Sequence, residues 1–463
     1  MRRVAAGVPE TKTTFRRVKL SGICGDHIAP FIDNRLMDES EFRRALHFGF
    51  GRAILHAREH DVRSFAPLIL DACLNCYSID PQCEGTRADF MFDLVNVLPD
   101  GDSYRDEVLN SLRNSGDDWH AKQRFRFASL MAQKGDERAK HVMYESFVPG
   151  PSKGDGIAID FLNLDGMAGF LFAVEKIGTL LLANSNGVDL GWLMSVATDD
   201  LGEQVVWDCL RAEARENPPV QAYLSAIETL EARVHRTVDA SWITSATYDQ
   251  LKKKLPIKLR MYLRKWGEQA TDDDLLQAAQ GLRTTDVDRQ LSHLAIFWKR
   301  RFPLDLGILF ELANSSNERI QWGALKALTQ ITDPAVRRFA FELVRTRAEH
   351  RALAIDLLSC NFQPGDHDTI VSWFETEEDI ETLHREGQCL VAFWKDHPAD
   401  GLHTQMLCSL YEKGPCSFCR ERAVSSLLER GALPEYIRAE CAWDTNSEIR
   451  ELISPMTGQS ELP

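Results

Sequence analysis

Two histidines four residues apart with a glutamate beside the second, His56-Ala57-Arg58-Glu59-His60, have the spacing that puts two imidazoles on one helix face with a carboxylate as general base, the makings of a zinc hydrolase site. Arg58 sits beside the would-be ligands, however, and no glutamate-bearing helix downstream offers a third. The segment therefore reads as the solvated polar end of an amphipathic helix. Cysteines recur twice at Cys-x-x-Cys spacing, Cys73 with Cys76 and Cys416 with Cys419. Such a pair can give two thiolates to a tetrahedral zinc, which in a structural site wants four ligands. Cys83 is near enough in sequence to add to the first pair, and Cys408, Cys441 and His403 to the second, so Cys416, Cys419 and Cys441 are the metal candidates. Against this, Leu70, Leu74 and Tyr77 around the first pair look like an ordinary buried stripe, and cysteine is a good small core residue. Gly414 and Pro415 make Cys416 the opening of a helix, where a thiolate gains from the dipole.

The other chemistry on offer is electrostatic. Lys252, Lys253, Lys254, Lys258, Arg260, Arg264 and Lys265 fall within fourteen residues that contain no acid, with Tyr262 and Trp266 interleaved. Lys299, Arg300 and Arg301 follow downstream. Such a row could grip phosphates or an acidic partner, and Tyr262 joins the seven cations as a binding candidate. The plainer reading is a solvated helix face whose cations meet Asp272, Asp273 and Asp274 on a neighbouring helix. No phosphate loop, nucleophile elbow or dinucleotide fingerprint is present, so no catalytic residue and no cofactor are assigned.

The elements that would position these residues are helices. Apolar residues recur at three- and four-residue spacing over 42–57, 65–77, 88–97, 125–132 and 139–147, and no alternating runs joined by Asn-Gly or Asp-Gly turns suggest strands. The clearest repeat starts at Asn317, which caps a helix with the stripe Ile320, Ala324, Leu325, Leu328 and Ile331. Asp333 then caps a second helix with Pro334 at its first position, where the missing N–H costs nothing, and Val336, Phe339, Ala340 and Leu343 form its stripe. The same unit recurs with drift: 351–358 with 369–374, 380–394 with 402–411, and 417–428 with 434–442. Helix pairs at roughly 35 to 45 residue spacing cannot bury their apolar faces alone and must stack. The tryptophans, among them Trp298, Trp322 and Trp394, sit on these stripes as core residues.

Over about residues 315–455 the chain resembles the bacterial HEAT-like repeat family, with Asp333, Pro334 and Arg337 where that family tends to place Asp, Pro and Arg. The resemblance implies an all-α, right-handed α-solenoid of stacked antiparallel helix pairs whose curved surface binds other macromolecules. It fixes neither partner nor activity. Upstream, residues 125–147 look like a tetratricopeptide-type helix pair broken at Lys134-Gly135-Asp136.

Turn-forming residues divide the chain. Pro149-Gly150-Pro151-Ser152-Lys153-Gly154-Asp155-Gly156 reads as a loop or boundary and Asn184-Ser185-Asn186-Gly187 as a shorter break. The expected organisation is an extension over 1–40, helical regions over 41–148 and 157–240, HEAT-like repeats over 241–455 and a tail over 456–463. Gly166 and Gly169 are expected to let helices approach closely.

Composition bounds the function. With 54 Lys and Arg against 69 Asp and Glu, the net charge of −15 opposes non-specific coating of nucleic acid, leaving only a local basic surface for that purpose. No apolar run is long enough for a membrane span, the basic N-terminus has no apolar stretch behind it, and eleven dispersed cysteines read as reduced thiols, so a cytoplasmic location without membrane contact is expected. The leading expectation is a non-enzymatic scaffold that binds a protein partner. The alternatives are a nucleic-acid-binding or DNA-repair protein resembling the HEAT-like alkylpurine DNA glycosylases and acting through residues 252–265, and a zinc-binding protein.

Overall fold

A computed structural model describes residues 36–457, apart from 114–118, 151–153, 184–189, 236–240, 348–349 and 398–401. Among the described residues every regular element is helical, and no helix is long and apolar enough to cross a membrane. The expected extension over 1–40 and tail over 456–463 lie almost wholly outside the described residues.

Helix ends fall where the local chemistry sets them. Asn317 accepts hydrogen bonds from the backbone N–H groups of Arg319 and Ile320 at the start of Glu318–Leu328, and Asp333 accepts one from Ala335 with Pro334 at the first helical position of Pro334–Thr346. Gly135, at φ 95°, turns the chain between Trp119–Gln133 and Glu137–Ser146, and Asp136 caps the second of these. The helix after the first break begins at Gly154, two residues before the expected end of that loop. There Asp-Gly does not stop the helix, because Ile157, Ala158 and Phe161 supply a buried stripe that carries it.

From residue 241 onward alternate helices form a stacked row. Ser241–Ser245, Arg260–Gln269, Val287–Ile296, Glu318–Leu328, Arg351–Ser359, Ile380–Asp396, Ser417–Glu429 and Ser447–Thr457 each pack on the next, and of the intervening helices Asp272–Gln280, Gly307–Ala313, Pro334–Thr346, Leu402–Lys413 and Glu435–Cys441 pack on members of this row. Arg337, on an intervening helix, forms an ion pair with Asp366 of the following one, tying neighbouring pairs together.

The last members of the row do not end in solvent. The short helix Pro81–Glu84 packs on Ser417–Glu429, and the buried Arg420 guanidinium donates to the carbonyl of Phe48 at 2.9 Å while pairing with the equally buried Asp444 at 3.1 Å. Arg52 bridges Glu412 at 2.7 Å and Glu440 at 2.8 Å. One hydrophobic core therefore runs through both residues 42–161 and residues 243–453, with Phe50 edge-on to Tyr411. A second core, from Ala158 to Ile227, belongs to the middle helices. In it Gly169 lies so close to Phe161 that a Cβ would stand 1.8 Å from that residue's carbonyl oxygen, as the expected close helix approach requires, whereas Gly166 has open space there and instead turns the chain at φ 56° before Met167–Leu182. The middle helices meet the rest of the fold where Gly154–Asp165 packs on Trp119–Gln133.

Candidate functional site

Along the row of stacked helices lies a groove of about 990 Å³. Arg260 comes to it from Arg260–Gln269, Arg319, Trp322 and Lys326 from Glu318–Leu328, Arg347 and His350 from the approach to Arg351–Ser359, and Arg385 and Gln388 from Ile380–Asp396. Lys326 is neutralised by Asp356 at 2.5 Å and Arg319 pairs with Asp288 at 3.3 Å. Arg260, Arg347 and Arg385 have no carboxylate partner among the described residues. Trp322 is 44% exposed in this groove, its ring edge-on to Trp298 at 5.1 Å. This corrects the expectation that Trp322 is core. It lies two positions from Ile320, off the stripe that Ile320, Ala324, Leu325 and Leu328 bury. Trp298 is half-buried and Trp394 is buried, in keeping with a core role.

The basic stretch is spread over two helices, Tyr248–Lys254 and Arg260–Gln269, and the loop between them. Lys252, Lys253, Lys254, Lys258 and Lys265 are exposed, while Arg260, Tyr262 and Arg264 are half-buried. Lys254 lies over the Trp242 ring at 4.0 Å, Lys265 over Tyr262 at 5.8 Å, and Arg264 approaches Glu268 at 3.9 Å. The expected neutralisation by Asp272, Asp273 and Asp274 does not occur. Asp272 pairs with Arg300 at 3.5 Å, and Asp274 accepts from the Tyr248 backbone N–H at 3.1 Å. Trp266 is core, its indole N–H donating to the carbonyl of Ala246 at 2.7 Å.

The cysteines sort differently from their order in the chain. Cys73 is buried in the core, and Cys76 is engaged with Ser78 at 3.3 Å and with the carbonyl of Gly85, so the first pair assembles no ligand set. Cys416 and Cys419, both buried, instead meet His384, and the three ligand atoms lie within 4.8 Å of one another. Cys416 is the N-cap of Ser417–Glu429 and Cys419 stands in its first turn, while His384 projects from Ile380–Asp396, the preceding helix of the row. A hydrogen bond with Cys419, aided by His384 and opposed by burial, lowers the Cys416 thiol below the ordinary thiol range. The same bond pushes Cys419 well up, and the contact with Cys416 raises His384.

Cys83 also differs from expectation. It is exposed on Pro81–Glu84, the element packed against Ser417–Glu429, and stands outside the cluster of His384, Cys416 and Cys419, its thiol raised first by Asp80. Beside it, Glu84 accepts from the Ser417 backbone N–H at 2.8 Å. Cys441 is buried in the core and Cys408 lies near Glu412, so neither joins the cluster, and the side chain of His403 is outside those described. Sequence spacing missed His384, whose 32-residue distance from Cys416 carries no signal until the helices stack. At the other histidine motif, His56 is buried among Phe42, Phe65 and His60, not solvated as expected, while Glu59 is exposed.

A second concavity, of about 850 Å³, lies between Trp119, Trp192, Lys122, Asp89 and Asp160, with Cys83 and Glu84 at its edge. No protein-family model matches this chain, and neither do any curated proteins or solved structures.

Proposed function

We propose that the chain is a HEAT-like α-solenoid that serves as a non-enzymatic cytoplasmic scaffold, receiving an acidic segment of a protein partner in the groove floored by Trp322. The observation that carries this reading is the groove's span: four members of one stacked row contribute to it, and three of its arginines, Arg260, Arg347 and Arg385, face it without a carboxylate of their own. Guanidinium groups in fixed orientation take carboxylates two-pronged, and a half-exposed indole offers an apolar anchor, the pairing that dominates binding energy at protein interfaces. The exposed lysines at 252–254 and 258 lie on the helix and loop before Arg260 and extend the positive field along which an acidic partner would be steered. Free thiols throughout the described chain support a reducing compartment.

The test is an affinity capture from the native host with wild type and with the triple variant Arg260→Glu, Arg347→Glu, Arg385→Glu, each checked for unchanged helicity by circular dichroism. Loss of a bound acidic protein from the variant alone is the expected result. Retention of the same proteins by both chains would sink the reading. Salt-sensitive DNA or RNA binding that vanishes on Lys252→Glu, Lys253→Glu, Lys254→Glu would favour the nucleic-acid alternative instead.

A further inference from the structure

We propose that His384, Cys416 and Cys419 bind a zinc ion whose fourth ligand is Cys83, so that the metal fastens the N-terminal helices to the end of the stacked row. Two thiols and an imidazole already stand within 4.8 Å of one another, and donors around a tetrahedral zinc lie roughly 3.5 Å apart, so closure asks for rotamer adjustments rather than backbone movement. Three donors come from parts of the fold that other interactions hold. Cys416 caps, and Cys419 stands in the first turn of, a thirteen-residue helix whose N-terminal dipole suits thiolates. His384 has one ring nitrogen, Nε2, against the Gln388 amide at 3.1 Å, while its Nδ1 is buried with no hydrogen-bond partner. With that amide turned so that its carbonyl oxygen accepts from Nε2–H, Nδ1 keeps its lone pair for the metal, the way metal-ligating histidines are held.

The fourth position is supplied from a distant part of the sequence. Pro81–Glu84 is seated on the Cys416 helix by Glu84, which accepts from the Ser417 backbone N–H at 2.8 Å and pairs with Arg87 at 3.2 Å, both side chains being buried. That anchor holds Pro81–Glu84 against the Cys416 helix, so the adjacent Cys83, which stands outside the three-donor cluster, is the thiol that a turn of its exposed side chain would bring to the ion. Its exposure at the rim of the 850 Å³ concavity gives the ion a route in from solvent. Three sulfurs and one imidazole are a donor set that selects zinc over the oxygen-seeking cations.

The experiment uses the full chain made without a histidine tag. Expected results are close to one zinc per chain by elemental analysis and, after exchange into cobalt(II), thiolate-to-cobalt charge-transfer and tetrahedral absorption bands. Cys416→Ser with Cys419→Ser should abolish both, and Cys73→Ser with Cys76→Ser should leave both intact. Cys83→Ser changes an exposed side chain, so the fold is spared. It should alter the cobalt spectrum and weaken zinc binding by at least about tenfold, the lower bound that even outer-shell substitutions reach. A wild-type chain that takes up neither metal, or one whose Cys416 and Cys419 are recovered as a disulfide from fresh lysate, overturns the proposal. Wild-type affinity and spectrum in Cys83→Ser would overturn the fourth-ligand assignment.

Discussion

Asp160 is buried at the second concavity, where a single guanidinium serves two carboxylates. Arg126 gives Nε and Nη2 to Asp89 at 3.1 and 2.9 Å and only Nη1 to Asp160, at 3.3 Å. Burial pushes the Asp160 carboxyl up to about 7, with Arg126 opposing. The sign of the consequence follows from linkage. Between the ordinary value of 3.8 and about 7 the native chain holds a proton that the unfolded chain has released, so this group's contribution to stability is greatest below pH 4, declines as pH rises through 7 and then levels off. Asp160→Asn removes the ionisation while keeping an oxygen for Arg126. Relative to wild type it should gain stability between pH 5 and pH 8, by an amount on the order of a few kcal/mol. Urea melts of both proteins at the two pH values check this, and parallel changes in the two would assign the slope to other groups.

At the scale of elements, some helices were legible and their partners were not. Asn317, Asp333 and Pro334 carry their roles in their own chemistry, because a cap acts on residues two or three positions away. The alternation of helix and short turn from residue 317 to the end is legible for the same reason. Cys83 was drawn to Cys73 and Cys76 by sequence proximity, whereas the packing of Pro81–Glu84 on Ser417–Glu429 brings it to residues more than three hundred positions away. No periodicity encodes such a contact, and His384 was hidden likewise. Gly51 shows what holds one of these junctions. It opens Arg52–Glu59 with ordinary helical backbone, so alanine there would ordinarily be neutral or favourable. A Cβ at Gly51, however, would stand 1.9 Å from the carbonyl oxygen of Glu440 in Glu435–Cys441. Gly51→Ala should therefore destabilise by about 1–3 kcal/mol as the two helices are forced apart. Gly156→Ala, whose Cβ would meet only the Lys122 side chain at 3.5 Å, should have little effect in the same thermal melts.

At the scale of the whole molecule, the consequence is that chain order and spatial order differ. The N-terminal helices follow the C-terminal ones in the packing, and the middle helices attach beyond them through Gly154–Asp165 and Trp119–Gln133. Arg420 is the keystone of the first junction: fully buried, it reaches Asp444, the carbonyl of Phe48 at 2.9 Å and the face of Phe50 at 4.4 Å. Removing one member of a buried pair leaves the other charge uncompensated, a loss of about 3–5 kcal/mol. The shared core dictates where that loss is felt. Arg420→Ala should speed amide hydrogen exchange in Glu39–Phe48, Ser417–Glu429 and Ser447–Thr457 together, because residues of all three belong to one hydrophobic core. Met167–Leu182 and Pro218–His235, built around the separate core from Ala158 to Ile227, should keep their protection. Exchange that accelerates equally in all five helices would mean that the two cores unfold as one cooperative unit. Acceleration confined to Ser417–Glu429 would mean that the N-terminal helices hold without the Arg420 junction, leaving Arg52 and its two glutamates as the principal tie.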